Sequence, residues 1–93
     1  MHNPSFQNLH PELTPLPVIA TYNADGDFYP LYFQLDGNRI KVENVKWHSE
    51  DAHRSMFFNC EVMDGEYVRE FVLVYLYDQH RWYLDKKNRH NFF

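Results

Sequence analysis

Residues 28–42 read FYPLYFQLDGNRIKV, and this stretch decides the fold. Apolar or aromatic side chains alternate with other residues on both sides of the pair Asp36-Gly37. A period of two is typical of a half-buried antiparallel strand. Asp-Gly suits the hairpin turn between two such strands, because Gly reaches positive φ without a Cβ clash. The stretch therefore predicts a β-hairpin.

The other two glycines also follow aspartate, in Asp25-Gly26 and Asp64-Gly65, and each pair lies between runs of aromatic and β-branched residues. Extending the pattern predicts about six strands, at residues 18–22, 28–35, 39–45, 56–63, 67–77 and 81–84. We expect an all-β fold, a small antiparallel curled sheet or SH3-like barrel, because closing the sheet protects its edges. The predicted inward set is Leu31, Phe33, Ile40, Val42, Phe58 and Cys60.

Two stretches leave alternatives open. Residues 46–55 are polar and lack Gly and Pro, so they form either a longer loop or one helical turn. The fifth strand is apolar on both sides, with Phe71, Leu73 and Tyr75 in one phase and Val72, Val74 and Leu76 in the other. Such a strand is either central, with both faces covered, or it contributes its second face to an oligomer.

The ends of the chain differ from its middle. Residues 1–17 hold four of the five prolines, and proline cannot donate to a strand ladder, so we expect an extended or disordered arm. Residues 18–85 form the β-barrel domain, and residues 86–93 form a basic and aromatic tail. Residues 79–93 carry four Lys or Arg and one Asp, a net +3, which leaves −7 for the rest of a chain whose total is −4.

Composition favours a cytoplasmic protein. Cys60 is the only cysteine, so the chain forms no internal disulfide, and a reducing compartment is the simplest interpretation. The sequence shows no signal-peptide pattern and no run of about 18 apolar residues, so we expect no membrane contact. The negative total charge argues against a surface that grips phosphates everywhere.

Few residues suggest chemistry. A cluster of His and carboxylates at His48, Glu50, Asp51 and His53 is of the type that binds a transition metal, but the spacing matches no signature, and a solvated acidic loop is the simpler interpretation. Cys60 is in phase with Met56, Phe58 and Val62, so we expect a small core residue rather than a nucleophile. No catalytic or phosphate-binding motif is found, so we predict no enzyme activity, no metal and no cofactor.

The strongest functional candidate is an aromatic and basic surface near the C-terminus. Its residues are Tyr75, Tyr77, Arg81, Trp82, Tyr83, Lys86, Lys87 and Arg89. Exposed Tyr, Trp and Arg are typical of protein interfaces, so we predict a non-enzymatic interaction module that binds a protein partner and self-associates as a homodimer. The alternative is a single-stranded nucleic-acid-binding accessory protein, because rings interleaved with cations stack bases and pair with phosphates.

A spaced pattern of apolar and turn residues carries a resemblance. It reads Pro30-x-x-Phe33-x-Leu35-x-Gly37-x-x-Ile40-x-Val42-x-x-Val45, followed by Phe58-x-Cys60 and Trp82-x-Leu84. Over residues 18–85 the chain resembles short uncharacterised bacterial proteins common in Firmicutes. It is also similar to a small actinobacterial family whose genes accompany translesion polymerase genes, although that family usually has aromatics at the places of Leu35 and Ile40. The resemblance implies a barrel and supplies no catalytic residues.

Overall fold

The strands form two antiparallel sheets. The computed structural model describes residues 13–52 and 54–86, and within them the large sheet has the order β1-β8-β7-β6-β5 and the small sheet the order β2-β3-β4. The strands are β1 Leu13–Pro15, β2 Val18–Tyr22, β3 Phe28–Leu35, β4 Asn38–Lys41, β5 Asn44–Asp51, β6 Ser55–Asp64, β7 Tyr67–Leu76 and β8 Arg81–Asp85. The all-β prediction is confirmed, with eight strands in this part of the chain rather than six; the SH3-like barrel stays a prediction.

All three Asp-Gly pairs mark hairpins, as predicted, and at the third pair Asp64 is the last residue of β6 while Gly65 begins the turn. Asp36 and Gly37 both have positive φ, 52° and 81°, and they form the two-residue turn between Leu35 and Asn38. That combination is the signature of the mirror-image turns whose twist matches paired strands. At the other pairs glycine alone has positive φ.

The predicted third strand is wrong, because the chain changes sheets within it. β4 ends at Lys41 in the small sheet, and β5 begins at Asn44 in the large sheet. Two backbone bonds hold the crossing: the Val42 amide donates to the Leu31 carbonyl and the Glu43 amide to the Glu61 carbonyl, both at 2.8 Å. The chain thereby turns a corner without a glycine or proline to mark it.

Residues 46–51 form a strand and not the predicted loop or helical turn. They belong to β5, which pairs along its length with β6. Because β5 is an edge strand of the large sheet, most of its side chains are exposed, and a polar sequence satisfies this position. This stretch lacks the alternation of apolar and polar residues by which a strand with one buried face is recognised in a sequence.

The end of the proline-rich arm is also a strand. β1 pairs with β8 at the edge of the large sheet, where proline is tolerated because one side of the strand needs no ladder bond. Leu16 is buried in the core, and its amide donates to the Trp82 carbonyl at 3.0 Å. Residues 1–12 lie outside the described residues, so the rest of the arm prediction stays a prediction.

The core lies between the two sheets. Of the predicted inward set, Phe33, Val42, Phe58 and Cys60 are buried, and Ile40 packs against them. The prediction that Leu31 points inward is wrong, because Leu31 is 41% exposed. Ile19 pairs with Tyr32 and Ala20 with Pro30, so Leu31 is the extra residue of a bulge, and the inward phase of β3 changes there.

β7 is central in the large sheet, between β6 and β8. Phe71 and Leu73 are buried in the core between the sheets. Val72, Val74 and Leu76 are 2%, 1% and 4% exposed and form a second apolar cluster with Phe57 and others. The first alternative for this strand therefore holds: both of its faces are covered within one chain.

Candidate functional site

The core face of the large sheet carries ordered rows of side chains at one end. Cross-strand pairing places Glu50 opposite Met56, Met56 opposite Tyr75, and Tyr75 opposite Trp82. A parallel row contains His48, Phe58, Leu73 and Leu84. Because cross-strand neighbours lie about 5 Å apart, the two rows form a platform of rings bordered by polar groups of the edge strand β5.

Phe28 of the small sheet packs onto this platform. Its ring centroid lies 5.2 Å from Tyr75, 5.9 Å from Trp82 and 6.5 Å from Tyr77, all in edge-to-face geometry. It also stacks on Tyr22 at 5.4 Å, a residue that is 65% exposed. We call Tyr22, Phe28, Tyr75, Tyr77 and Trp82 the aromatic end. Edge-to-face pairs contribute about 0.5–1.5 kcal/mol each beyond the area that they bury.

A local loop presents Phe28. The Asn23 side-chain oxygen accepts from the amides of Asp25 and Asp27, each at 3.0 Å, and the Gly26 amide donates to the Asn23 carbonyl at 3.1 Å. Gly26 has a φ of 90°, which an L side chain rarely adopts. Asn and Gly therefore fix the loop between β2 and β3 that leads directly into Phe28.

Two tyrosine hydroxyls of the aromatic end lie within hydrogen-bond distance of other side chains. Tyr77 donates to Glu50 Oε2 at 2.8 Å, and the Tyr75 hydroxyl lies 3.1 Å from Nδ1 of His80. Burial, followed by the bond to Glu50, raises the pKa of Tyr77 to about 12. Burial, followed by the nearby Tyr22, raises the pKa of Tyr75. Both phenols therefore stay neutral at physiological pH.

A pocket of about 210 Å³ opens beside Tyr77 and Glu50. Three rings, Phe28, Tyr29 and Tyr77, line it together with His48 and two carboxylates, Asp27 and Glu50. The Tyr29 ring lies 5.5 Å from the His48 ring at 76° between their planes. Aromatic walls with a few convergent polar groups are typical of ligand pockets.

The structure divides the predicted surface between two faces of the large sheet. Tyr75 and Trp82 pair across the sheet and their rings are in contact. The Tyr75 ring also contacts Tyr77, and all three belong to the aromatic end. Arg81 and Tyr83 pair with Leu76 and Val74, whose side chains belong to the opposite face. Tyr83 packs there and donates its hydroxyl to Gln79.

The predicted cations are not gathered around the rings. Arg81 and Lys86 are both exposed. Lys86 comes directly after the last residue of β8, whereas Trp82 lies near the start of that strand, so the two are separated by about 14 Å along the chain at 3.4 Å per residue. Lys87 and Arg89 lie outside the described residues. The rings of the predicted surface and its described cations therefore do not form one patch.

The described residues of the candidate metal cluster are divided between the two faces of β5. His48 and Glu50 lie on the core face of β5, and Asp51 is in the opposite phase. His53 lies outside the described residues. In residues 13–52 and 54–86, no three His, Cys, Asp or Glu side chains are placed to hold a metal ion.

Cys60 is a core residue, as predicted. Its side chain is fully buried in the cluster between the sheets, and burial raises the pKa of the thiol to about 12. A thiol in this environment stays protonated and cannot act as a nucleophile at neutral pH.

Sequence reasoning did not assign Tyr22, Asp27, Phe28 or Tyr29 to a site, and it considered Glu50 only as a metal ligand. Phe28 joins the rings, Tyr22 extends them outward, and Glu50 accepts from Tyr77. The signal for Phe28 and Tyr22 was present, because they flank the Asn23 to Asp27 loop and therefore pair across the hairpin. The contact between Glu50 and Tyr77 was not predictable, because the polar stretch that contains Glu50 was expected to be a loop or a helical turn.

No protein-family model matches the chain, and neither the curated proteins nor the solved structures contain a significant match. The two family resemblances stay predictions. Within the residues that the structure describes, no helix has the length and apolar character needed to cross a membrane.

Proposed function

We propose that the chain is a non-enzymatic interaction module that binds a protein partner at its aromatic end. The observation that carries the proposal is the ring cluster around Phe28, which continues from the buried Phe58 outward to the exposed Tyr22. Interfaces are enriched in Tyr and Trp because these side chains bury large areas at low entropic cost and carry a polar tip. A cytoplasmic location is part of the same proposal.

Self-association has less support than partner binding. It was expected from an apolar second face on β7, and Val72, Val74 and Leu76 are buried within one chain. We therefore propose that the partner is a different protein. Binding of a second copy of the same chain is the less favoured version of the proposal. Light scattering at tens of micromolar distinguishes a monomeric mass from a dimeric one.

The same geometry supports single-stranded nucleic-acid binding less than it supports protein binding. Phosphate recognition needs cations beside the stacking rings. Carboxylates of Asp27 and Glu50 line the pocket at the aromatic end, whereas Arg81 projects from the opposite face. This alternative requires affinity for short DNA or RNA that falls with added salt and with a Lys86→Ala, Lys87→Ala double variant.

The test compares partner capture by two single variants. Tyr22→Ala removes an exposed ring of the aromatic end, and Tyr67→Ala removes a ring that is 78% exposed at the start of β7, near the opposite end of the sheet. We expect a protein retained by the wild-type chain from its native host to be lost with Tyr22→Ala and kept with Tyr67→Ala. Equal retention by both variants would contradict the proposal.

A further inference from the structure

We propose that a second pocket, on the outer face of the small sheet, binds a small organic acid in which an apolar body carries one carboxylate. This pocket shares no described lining residue with the aromatic end, and the inference does not depend on the proposed function. Its volume is about 320 Å³, within the range of small-molecule sites. Its lining includes Pro17, Val18, Ile19, Tyr32, Gln34 and Arg39. We call it the small-sheet pocket.

Strand pairing places the polar groups of the small-sheet pocket on one face. Phe33 is buried in the core and Ile40 packs against it, so their sequence neighbours Tyr32, Gln34 and Arg39 point to the opposite face. Gln34 pairs directly with Arg39, and directly opposed side chains lie about 5 Å apart. An amide and a guanidinium therefore converge beside the ring of Tyr32.

The strands of the small sheet are basic in an acidic chain. β2, β3 and β4 contain no Asp or Glu, and their charged residues are Arg39 and Lys41, whereas the whole chain has a net charge of −4. Lys41 pairs with Tyr32 and therefore lies on the same face as Arg39. No carboxylate is found among the described residues that line the pocket; Asp36, in the adjacent turn, is not one of them. The charges of this face therefore favour an anion.

The Arg39 guanidinium is held in place by a ring. It lies over Tyr32, 5.6 Å from the ring centroid. Stacking uses the face of a guanidinium and leaves the N–H groups in its plane able to donate two parallel bonds to a carboxylate.

A second stacked arginine shows how such an arrangement is completed. The Arg69 guanidinium lies 5.2 Å from the Phe71 centroid, and it also pairs with Asp64 at 3.2 Å. Arg39 has the ring but no such carboxylate among the described residues that line its pocket. The carboxylate of a ligand completes the same arrangement at Arg39.

The side of the pocket opposite Arg39 suits an apolar body. The Pro17 carbonyl accepts from the Gln34 amide at 3.0 Å, which fixes Pro17 beside β3. Ile19 pairs with Tyr32, so it lies on the outer face, where it is 51% exposed. An apolar group on the ligand covers this exposed surface while its carboxylate reaches Arg39.

The number of cations favours a carboxylate over a phosphate. Arg39 is the one Lys or Arg among the described residues that line the pocket. One guanidinium balances a single negative charge, whereas a phosphate monoester carries about −1.5 to −2 at neutral pH. We therefore assign the ligand one carboxylate.

The test measures binding of naphthoate, naphthamide and naphthyl phosphate by NMR. The three probes share one apolar body and differ in the group attached to it. We expect naphthoate to shift the Tyr32 ring protons and the Gln34 and Gly37 amides, and to bind at least about tenfold more tightly than the other two. No shift at about 1 mM naphthoate, or equal binding of the neutral amide, would overturn the proposal. Equal or tighter binding of the phosphate would overturn the assignment of a carboxylate.

Two variants of the protein sharpen the test. Arg39→Gln removes the guanidinium at an exposed position and should weaken naphthoate binding about tenfold. Arg81→Gln removes an exposed guanidinium from the large sheet and should leave the affinity unchanged. Circular dichroism checks that both variants are folded. Unchanged affinity in Arg39→Gln, or an equal loss in Arg81→Gln, would overturn the proposal.

Discussion

At one end of the core, which we call the apolar end, Phe33 packs against Phe71 at 5.5 Å in the cluster that also contains Val62. At the aromatic end, Phe28 meets rings whose outer atoms are hydroxyls bonded to Glu50 and His80. The same strands run through both ends, since β6 begins beside Tyr75 and finishes beyond Val62. The core side chains of the apolar end carry no polar atoms, and the Arg69 guanidinium covers the Phe71 ring from outside. The aromatic end is closed by side chains with polar tips.

This difference indicates a division of labour. Apolar side chains that are almost fully buried contribute hydrophobic free energy and offer no handle to a ligand. Half-buried tyrosines and a tryptophan contribute less to the core, but they leave ring faces and donors at the surface. We infer that the apolar end mainly stabilises the fold, and that the aromatic end is where a partner binds.

The largest expected effect separates the two ends by stability. Phe33→Ala removes a ring that is 1% exposed and should lower the free energy of unfolding by about 3–5 kcal/mol, because the transfer energy is lost and a cavity remains. Phe28→Ala removes a half-buried ring and should cost roughly half as much. Urea denaturation of both variants measures the difference. Equal losses would show that the aromatic end is part of the stabilising core.

Glycine substitutions in the hairpins give the next effect. Gly26 and Gly65 have φ values of 90° and 64°, and an added Cβ would meet nothing within 4 Å, so strain comes from the backbone alone. Each Gly→Ala change should cost about 1–2 kcal/mol. Only Gly26→Ala should also weaken partner capture, because its loop presents Phe28. Weakened capture by Gly65→Ala would mean that loss of stability, rather than loss of geometry, controls the binding.

The smallest expected effect concerns one hydroxyl. Tyr77→Phe keeps the ring and removes the donor to Glu50, so the free energy of unfolding should fall by about 0.5–1.5 kcal/mol near neutral pH. Partner capture should change little, because the rings of the aromatic end all remain. A loss of capture as large as that of Tyr22→Ala would assign the recognition to the hydroxyl instead.

The pH dependence of the same residue has a definite sign. The pKa of Tyr77 is about 12 in the folded protein and about 10 in an unfolded chain, so the folded state holds the phenol proton more tightly. Its contribution is intact below pH ~10 and is lost as the pH rises towards ~12. Tyrosinate absorbance should show a late-ionising group that is absent from Tyr77→Phe. If the tyrosine lost in Tyr77→Phe ionised near pH ~10 instead, the raised pKa of Tyr77 would be contradicted.

The sequence was informative wherever one residue type has one structural use. Asp-Gly pairs located the hairpins, and alternation identified Phe33, Phe58 and Cys60 as core residues. It failed at Leu31 and at Val42 to Asn44, where a bulge and a sheet crossing change the inward phase. Pro30 stands beside the bulge, but no glycine or proline marks the crossing. The aromatic end was only half visible: Tyr75, Tyr77 and Trp82 are close in sequence, whereas Phe28 and Glu50 reach them through long-range pairing.

The most direct test of the account is site-specific photo-cross-linking in the native host. A photoreactive phenylalanine analogue replaces either Tyr22 at the aromatic end or Tyr67 at the far end of β7, both of which are exposed. We predict a discrete adduct with a second protein from position 22 and none from position 67. Adducts from position 67 alone, from both positions equally, or from neither would contradict the claim that the aromatic end binds a protein partner.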